Sequence, residues 1–533
     1  MENRLTPRTR QAHVACGVSR QPSDRRREVG AGRKARAPRN PLRRIRGAVA
    51  VGVLVAFIAL FALPDHLLPP HGARLLAASQ LVPSVLAALD GNAGRVLLLV
   101  VLLLATALLG RVYCSVLCPL GILQDVVWRL RRRWAPVRLP NARAASRTRW
   151  ISLGLGVAAF ASGVGWAIGL IDPYSIFGRI ASGLAHPATM PWPLLAIAAA
   201  SLLLVGLLAW HRGRLYCNTL CPVGALLGLL SRRALFRIRI DPAHCVACSQ
   251  CARVCRAQCI DIGKGTVDAS RCTLCFDCLE VCPKAGIEWS PVADRPLDPS
   301  LSRPDADDLP SPARRRLLGG LLACSALGFG SAAARADRER PSRRTNTRAR
   351  PHQRHEPRPL PPHPPPVAPG ARSLARFRER CTACQLCVGR CPTGVLRPGF
   401  RNDGPGSFLQ PGLDFDSGHC AYGCNQCGSI CPTGALEPLE PEVKKRTAIG
   451  VARFERHNCI LLGDEEECGK CADRCPTGAV QLTGRHRGRD VPEIDPETCI
   501  GCGACEHVCP AEPHKAIYVE RFVVHGQAEP PRG

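Results

Sequence analysis

The sequence lacks the motifs of several common cofactor and enzyme classes. Its 533 residues contain no GxGxxG motif, no P-loop, no Ser-His-Asp arrangement and no CxxCH haem attachment. Neither a nucleotide nor a haem cofactor is therefore expected, and no catalytic residue is assigned. Acidic residues are also scarce, with 42 Asp and Glu against 71 Lys and Arg, which gives a net charge of +29.

This positive charge is concentrated in two tracts. Residues 1–47 hold 14 Lys and Arg against 3 acidic residues, and residues 335–358 hold 9 against 3. Both tracts are rich in Arg and Pro and have no apolar periodicity, which predicts disordered tails. They also lack the interleaved aromatic side chains on which a single-strand binder stacks bases, so no nucleic-acid partner is expected.

Cysteine, in contrast, is abundant. Of the 31 cysteines, 24 form six runs of the CxxCxxCxxxC type, two of them with a stretched gap. Five runs end in Cys-Pro, which is the bacterial ferredoxin pattern of three close thiolates on one cluster and a fourth on a neighbouring cluster. We predict six 4Fe-4S clusters with these cysteines as iron ligands. The runs are Cys245, Cys248, Cys251 and Cys255; Cys272, Cys275, Cys278 and Cys282; Cys381, Cys384, Cys387 and Cys391; Cys420, Cys424, Cys427 and Cys431; Cys459, Cys468, Cys471 and Cys475; and Cys499, Cys502, Cys505 and Cys509.

A zinc or disulfide framework is the alternative. A zinc ribbon binds each ion with two CxxC knuckles, so it does not require the third and fourth cysteine of each run. Under the exchange rule, the first three cysteines of run one share a cluster with Cys282, and those of run two share one with Cys255. Cys259 is a second candidate for the exchanged position. The last four runs can pair sequentially or nested, and the sequence does not choose between them.

Four apolar segments precede the first run, at residues 47–63, 95–109, 150–171 and 192–210. They are nearly free of charge and alternate with loops of different charge, which favours membrane helices over buried core helices. The predicted fold class is a membrane α-helical bundle of four helices, with a possible fifth, joined to α+β ferredoxin modules of the bacterial type.

Loop charges predict the orientation. The N-terminal tail and residues 111–149 and 211–239 are rich in Arg, whereas residues 64–94 and 172–191 hold few basic residues. The positive-inside rule places the N-terminus and the first ferredoxin module in the cytoplasm of a bacterial inner-membrane protein.

The membrane segment contains an internal repeat. Residues 110–123 (GRVYCSVLCPLGIL) and 213–226 (GRLYCNTLCPVGAL) are identical at nine of fourteen positions. Each copy follows an even-numbered predicted helix, so Cys114, Cys118, Cys217 and Cys221 are expected to meet around a pseudo-twofold axis. Such a quartet is a possible metal or cluster site, or a site of thiol–disulfide exchange. The alternative is two structural turns with small buried cysteines.

The paired YCxxLCP elements, followed directly by a two-cluster ferredoxin module, resemble the NapH/MauN family of membrane ferredoxin-type proteins over about residues 47–289. Residues 376–519, including the long gap between Cys459 and Cys468, resemble NapG-type polyferredoxins. The resemblance implies a fusion of two proteins that are normally separate, acting as a quinol dehydrogenase component or as a maturation accessory.

The junction carries a twin-arginine pattern. Arg314, Arg315 and Arg316 precede an apolar stretch that ends near Ala336, which predicts export of the C-terminal module to the periplasm or a fifth membrane segment. The alternative is a cytoplasmic linker with an amphiphilic patch. The predicted organisation is a basic tail (1–46), a membrane domain (47–240), a two-cluster ferredoxin (241–292), a linker (293–313), the signal-like segment (314–336), a disordered Arg/Pro/His-rich spacer (337–372), a four-cluster polyferredoxin (373–523) and a tail (524–533).

These features predict electron relay from quinol through the six clusters to a reductase or cytochrome partner. The alternative is a maturation factor that supplies electrons or metal to another redox enzyme. How electrons cross between the two faces of the membrane is left open by the sequence.

Overall fold

The computed structural model describes residues 40–63, 70–89, 91–134, 146–187, 190–291, 357–399, 407–462, 468–486 and 489–530. Residues 1–39 of the basic tail, the linker and the twin-arginine segment lie outside the described residues, whereas residues 41–46 of the predicted tail form the start of a helix. The helices of the N-terminal part are α1 (Pro41–Ala62), α2 (Pro70–Ala78), α3 (Leu81–Ala88), α4 (Ala93–Leu109), α5 (Tyr113–Val116), α6 (Pro119–Trp134), α7 (Ser146–Ala161), α8 (Gly165–Ile171), α9 (Pro173–Ala185), α10 (Trp192–Arg212), α11 (Leu215–Thr219) and α12 (Pro222–Ser231).

Helix α1 shows why these segments are helical and where they end. Asn40 accepts a hydrogen bond from the Leu42 amide and Pro41 occupies the first turn, which together form a standard N-terminal cap. The following apolar run leaves Val51, Val55 and Ile58 exposed on the surface of the protein. The spacing of these three residues places them on one face of α1, and an exposed aliphatic face is favourable in a lipid environment.

Within the described part of the chain, two helices are long and apolar enough to cross a membrane, namely α1 with 22 residues and α10 with 21. The second apolar segment forms α4, which has only 17 residues. The third is divided between α7 and α8, because the chain turns at Gly163 with φ +67°. Because only two of the described helices have the length and apolar character of a membrane span, the four-helix membrane bundle stays a prediction.

The first ferredoxin module is small and built from short elements. Strand β1 (Phe236–Ile240) pairs antiparallel with β4 (Ile287–Pro291), and β2 (Ile260–Asp261) pairs with β3 (Thr266–Val267). Between them lie the one-turn helices α13 (Gln250–Val254) and α14 (Asp277–Val281). The cysteines of runs one and two form much of its core.

The C-terminal module repeats this plan with helices α15 (Leu374–Arg380), α16 (Leu386–Gly389), α17 (Gln426–Ile430), α18 (Pro441–Arg446), α19 (Lys470–Asp473) and α20 (Ala504–Val508). Its strands are β5 (Leu396–Pro398) with β6 (Pro411–Leu413), β7 (Thr447–Phe454) with β10 (Ile517–Gln527), and β8 (Val480–His486) with β9 (Arg489–Ile494).

Part of the predicted spacer belongs to this module. Residues 357–369 form neither helix nor strand, but Val367 and Ala368 are buried in its core. Asn458 fixes the start of this stretch, because its side chain bonds both the amide and the carbonyl of Arg358. The packed module therefore begins well before residue 373.

The two ferredoxin modules contact opposite ends of α1. Arg43, in its first turn, pairs with Asp277 at 2.9 Å and also contacts Glu280 of the first module. At the other end, Arg390 of the C-terminal module donates two hydrogen bonds to the carbonyl of Leu60. A helix of this length extends about 33 Å, so the two modules lie roughly that far apart along α1.

Candidate iron–sulfur sites

The first module groups its cysteines around two cavities. One is lined by Cys245, Cys248 and Cys251 of run one together with Cys282 of run two. The other is lined by Cys255 together with Cys272, Cys275 and Cys278. This is the grouping that the exchange rule predicts.

The local backbone directs these thiols inward. Residues two and four positions after the first cysteine of these two runs adopt left-handed conformations, at Ala247 and Ser249 in run one and at Leu274 and Phe276 in run two. Such residues are uncommon outside glycine and reverse the chain within a few bonds. The turn lets closely spaced cysteines face one cavity, and the one-turn helix that follows carries the fourth cysteine away.

The C-terminal module pairs its runs sequentially. One cavity is lined by Cys459, Cys468 and Cys471 with Cys509, the last cysteine of run six. Burial raises the pKa of Cys502 to about 12 together with neighbouring thiols, which include Cys420 of run four and Cys475 of run five. Run five is thus paired with run six, and nested pairing does not fit the described residues.

Runs three and four form the other pair. Burial and the neighbouring Cys431 thiol together raise the pKa of Cys384 to about 12. The pKa of Cys427 is also raised by burial, and Cys391 is one of the neighbouring thiols that add to the shift. Each of the four cavities or thiol sets therefore combines three cysteines of one run with the last cysteine of its partner.

The donor sets fit 4Fe-4S clusters better than single ions. In the described residues, no three His, Cys, Asp or Glu side chains converge closely enough to hold one metal ion. Zinc would require sulfurs about 2.3 Å from a common centre, whereas four sulfurs on the irons of a cubane stand farther apart. Because iron is bound by thiolates, cluster binding would release protons from these cysteines and contribute folding free energy.

Donors to the cysteine sulfurs are also in place. Backbone amides of Ala452 and Ala516 donate to Cys499 and Cys509, each at 3.4 Å. The repeated CPTG sequence adds a hydroxyl, because Thr393, Thr433 and Thr477 each lie 3.6 Å from the sulfur of the preceding cysteine, at Cys391, Cys431 and Cys475. Hydrogen bonds to cluster sulfurs are one determinant of reduction potential. These threonines are not among the residues predicted from the sequence, although the repeated CPTG motif was a signal for them.

Cys259 lies beside a predicted ligand. Its sulfur is 3.5 Å from the sulfur of Cys255, and it lines the same cavity as Cys272. Cys255 lies where the exchange rule places the fourth ligand of the run-two cluster. Cys259 places a second thiol beside it.

The four YCxxLCP cysteines meet in the core of the helical part. Cys114, Cys118, Cys217 and Cys221 are buried in one hydrophobic cluster, and all four are free thiols. Burial raises the pKa of Cys118 well above its usual value, followed by the neighbouring Cys217 and Cys114 thiols. Burial also raises the pKa of Cys221 well above its usual value, followed by the neighbouring Cys217 and Cys118 thiols.

An arginine from each repeat reaches across to the other copy. Arg111 donates to the carbonyl of Cys217 at 3.1 Å, and Arg214 donates to the carbonyl of Cys114. The glycines Gly121 and Gly224 make room for this crossing, since a Cβ at either position would overlap the same carbonyl oxygens. Arg and Gly are among the identical positions of the repeat, so the sequence carried a signal for both.

The surroundings of the two arginines differ. Arg214 binds both oxygens of Asp125 at 2.8 Å, and Arg256 of the first module reaches the same carboxylate. Burial alone would raise the pKa of Asp125, but Arg214 and Arg256 outweigh it and hold the pKa below its usual range. Arg111 instead donates to Asn218 Oδ1 at 2.8 Å and to the carbonyl of Ser270 at 3.1 Å.

Two family models match parts of the chain. One is described as a 4Fe-4S binding domain and matches residues 93–138 and 191–241, each segment containing one YCxxLCP element. The other is described as a 4Fe-4S dicluster domain and matches residues 419–479 and 466–512. Domains that bind 4Fe-4S clusters are thus present in both halves of the chain.

Curated relatives are ferredoxin-type proteins. The methylamine utilization ferredoxin-type protein MauN of Methylorubrum extorquens is 32% identical over 149 residues, which is 27% of this chain and 47% of the relative. The ferredoxin-type protein NapF of Escherichia coli is 26% identical over 28% of this chain and 84% of its own length. MauM of Methylophilus methylotrophus is 32% identical over 26% of this chain and 64% of its own length.

The chain spans about half the length of the first curated relatives it matches. No solved structure matches it. By sequence and by the grouping of its thiols, the chain is similar to ferredoxin-type iron–sulfur electron-transfer proteins.

Proposed function

We propose that this protein is a membrane-bound electron-transfer component that passes electrons from the quinol pool through six 4Fe-4S clusters to a reductase or cytochrome partner. The bound clusters would supply one-electron redox chemistry. The observation that carries the proposal is the placement of paired cysteine sets at both ends of the apolar helix α1, through Arg43 at one end and Arg390 at the other. A helix of this length matches the thickness of the hydrocarbon core.

The two ends have different proposed locations. The Arg-rich side, with Arg43, Arg46 and Arg111, would face the cytoplasm together with the first module. The C-terminal module would then lie in the periplasm, in keeping with the twin-arginine pattern near Arg315. The four apolar segments would form the membrane domain, and α8 would belong to its periplasmic end.

Similarity to MauN and MauM, two separately named proteins, supports the idea that the chain is a fusion. The C-terminal module is held against the helical part by small residues. Gly165 and Gly169 of α8 lie directly against the backbone of residues 378–382, where a Cβ would overlap carbonyl oxygens. Leu386 and Ile430 extend the core of the helical part into the module. A fused and docked arm would keep its clusters at a fixed distance from the membrane part.

Quinol titration of the full chain in membranes tests the proposal. A reduced quinol analogue should bleach the absorbance of the clusters anaerobically, and an oxidised analogue should restore it. Clusters that stay oxidised at every quinol ratio would rule out the quinol source. If deletion then removes metal from a separate redox enzyme, the maturation role is favoured instead. Protease protection in spheroplasts tests the location, because residues 407–462 should be cleaved from outside.

A further inference from the structure

Helix α9 of the helical part lies directly against the third cysteine run of the C-terminal module. Gly178 allows this approach, because a Cβ at this position would stand 2.5 Å from the carbonyl oxygen of Cys384. Tyr174 lies one turn before Gly178 and therefore on the same face of α9. Its ring belongs to the hydrophobic cluster that also contains Leu386, and Cys384 packs against that cluster. This face of α9 thus adjoins the run-three cysteines.

Two polar side chains on this part of α9 are buried with donors to spare. Tyr174 is completely buried, and Arg179 is 2% exposed. Arg179 donates from Nη2 to the carbonyl of Gly169 at 2.9 Å. Within the residues that the structure describes, Tyr174 Oη and the Nε and Nη1 atoms of Arg179 have no hydrogen-bond partner. Buried donors are almost always paired, so these three atoms point to an acceptor that the protein side chains do not supply.

The electrostatics of both residues involve the run-three thiols. Burial raises the pKa of Tyr174 well above its usual value, and Cys384, Asp172 and Cys431 add to the shift. Burial lowers the pKa of Arg179 to about 10, whereas Asp172 and Cys384 act in the opposite direction. Cys384 and Cys431 belong to the donor set of a single predicted cluster. Tyr174 and Arg179 therefore lie in the electrostatic environment of that donor set.

Asp172 does not account for the unpaired donors. Its Oδ2 accepts from the amide and the hydroxyl of Ser175, each at 2.8 Å. In the described part of the chain, neither Nε nor Nη1 of Arg179 donates to this carboxylate. A cluster held by four thiolates, in contrast, carries a net negative charge and offers sulfur atoms that accept hydrogen bonds.

We infer that Arg179 and Tyr174 donate hydrogen bonds to sulfur atoms of the cluster held by Cys381, Cys384, Cys387 and Cys431, and that they raise its reduction potential. One-electron reduction adds a negative charge, which a guanidinium and a hydroxyl donor stabilise. Both donors belong to the helical part, so the C-terminal module acquires them only when it docks on α9. The inference rests on the proposed function for the presence of this cluster, but not for quinol as the source of electrons.

Potentiometric titration of the purified full chain, followed by EPR, tests the inference. Dithionite and redox mediators supply the electrons, so the measurement does not depend on quinol. The signal that is missing from Cys431→Ser identifies the run-three cluster. Tyr174→Phe and Arg179→Gln should each lower the midpoint potential of that signal. For Arg179→Gln we expect a fall on the order of tenfold in the reduction equilibrium, or about 59 mV for one electron.

Conservative and control variants separate tuning from a general effect of burial. Arg179→Lys keeps the charge and should recover part of the potential. Arg149→Gln is the matched control, because Arg149 is also a buried arginine of the helical part but donates to the Ser270 carbonyl of the first module, at 3.2 Å. It should leave the potential of the run-three signal unchanged. An equal shift of that signal in Arg149→Gln and Arg179→Gln would contradict a direct contact.

Tyr174→Phe keeps the inference testable if Arg179→Gln fails to fold. Its hydroxyl has no protein partner in the described residues, so its removal should leave the iron content and the melting temperature close to wild type. A proton coupling that is lost in deuterated water should appear in the ENDOR spectrum of the wild-type cluster and be absent from Tyr174→Phe. Wild-type potentials in both variants would overturn the inference. Shifted potentials in clusters that quinol does not reduce would contradict only the proposed electron source.

Discussion

Arg214 donates two hydrogen bonds of 2.8 Å to the carboxylate of Asp125, and both side chains are buried. The same carboxylate receives Arg256 at 2.8 Å and Arg46 at 3.4 Å. Asp125 thus joins the second YCxxLCP repeat, the first module and α1 through one anion. Electrostatically, it is the point at which these three parts are held together.

Replacement of this anion should be severely destabilising. The Asp125→Asn variant removes the carboxylate partner of the buried Arg214 and Arg46, while Arg256 keeps its pair with Asp277, and breaking a buried pair in this way costs about 3 to 5 kcal/mol. We expect a marked fall in thermal stability and in the yield of cluster-loaded protein in membranes. The control is Asp490→Asn, which removes an exposed partner of Arg485 at 3.9 Å and should be nearly neutral. Equal stability of the two variants would contradict the assigned role of Asp125.

Docking of the C-terminal module should depend on Gly169. A Cβ at this position would overlap the carbonyl oxygen of Thr382, which lies between Cys381 and Cys384 of run three. Gly169→Ala should therefore separate the module from the helices, with faster proteolysis near residue 380 and slower reduction of its clusters by quinol. Gly154→Ala in α7 is the control, because nothing lies within 4 Å of its Cβ. If both variants keep wild-type proteolysis and reduction, the module does not dock through α8.

Sequence spacing predicted the thiol sets because each depends on a local turn. It left the pairing of the last four runs open, since that depends on packing between runs that are distant along the chain. It also did not predict the break at Gly163 or the contact of Gly169 with Thr382. Gly163 and Gly169 both lie against residues of the C-terminal module, Glu379 and Thr382, and no local pattern reports a contact across more than 200 residues. Arg111 was visible as a repeated residue, but its full burial against the carbonyls of Cys217 and Ser270 was not.

Sequential pairing makes a specific prediction for Cys509. Its replacement by serine should release the cluster predicted at Cys459, Cys468 and Cys471, because Cys509 lines their cavity. About four irons should be lost. Alkylation of the folded protein followed by peptide mapping should label these three cysteines and leave Cys381, Cys384 and Cys387 protected. Nested pairing predicts the opposite labelling, and Cys431→Ser is the reciprocal variant that should expose run three instead.

Cys259 should adjust the reduction potential of the adjacent cluster. Its sulfur is 3.5 Å from that of Cys255, and a hydrogen bond to a ligand sulfur stabilises the more negative, reduced state. Cys259→Ala should therefore keep the iron count and lower one midpoint potential, while Cys259→Ser, which retains a donor, should change it less. Potentiometric titration followed by EPR measures this shift. An unchanged potential in both variants would mean that the thiol is a passive packing residue.

Asp172 predicts a pH dependence of stability. It caps α9 by accepting from the Ser175 amide and hydroxyl, each at 2.8 Å, and burial raises its pKa from the model-peptide value to about 6. The folded state thus holds this proton more tightly than the unfolded state, so its contribution to stability is greatest at low pH and is lost as the pH rises through about 6. Asp172→Asn keeps an N-cap acceptor and cannot ionise. The melting temperature of the variant relative to wild type should therefore rise by a few degrees between pH 5 and pH 7.5, a change on the order of 1 to 3 kcal/mol. A difference that stays constant over this range would show that Asp172 does not titrate there.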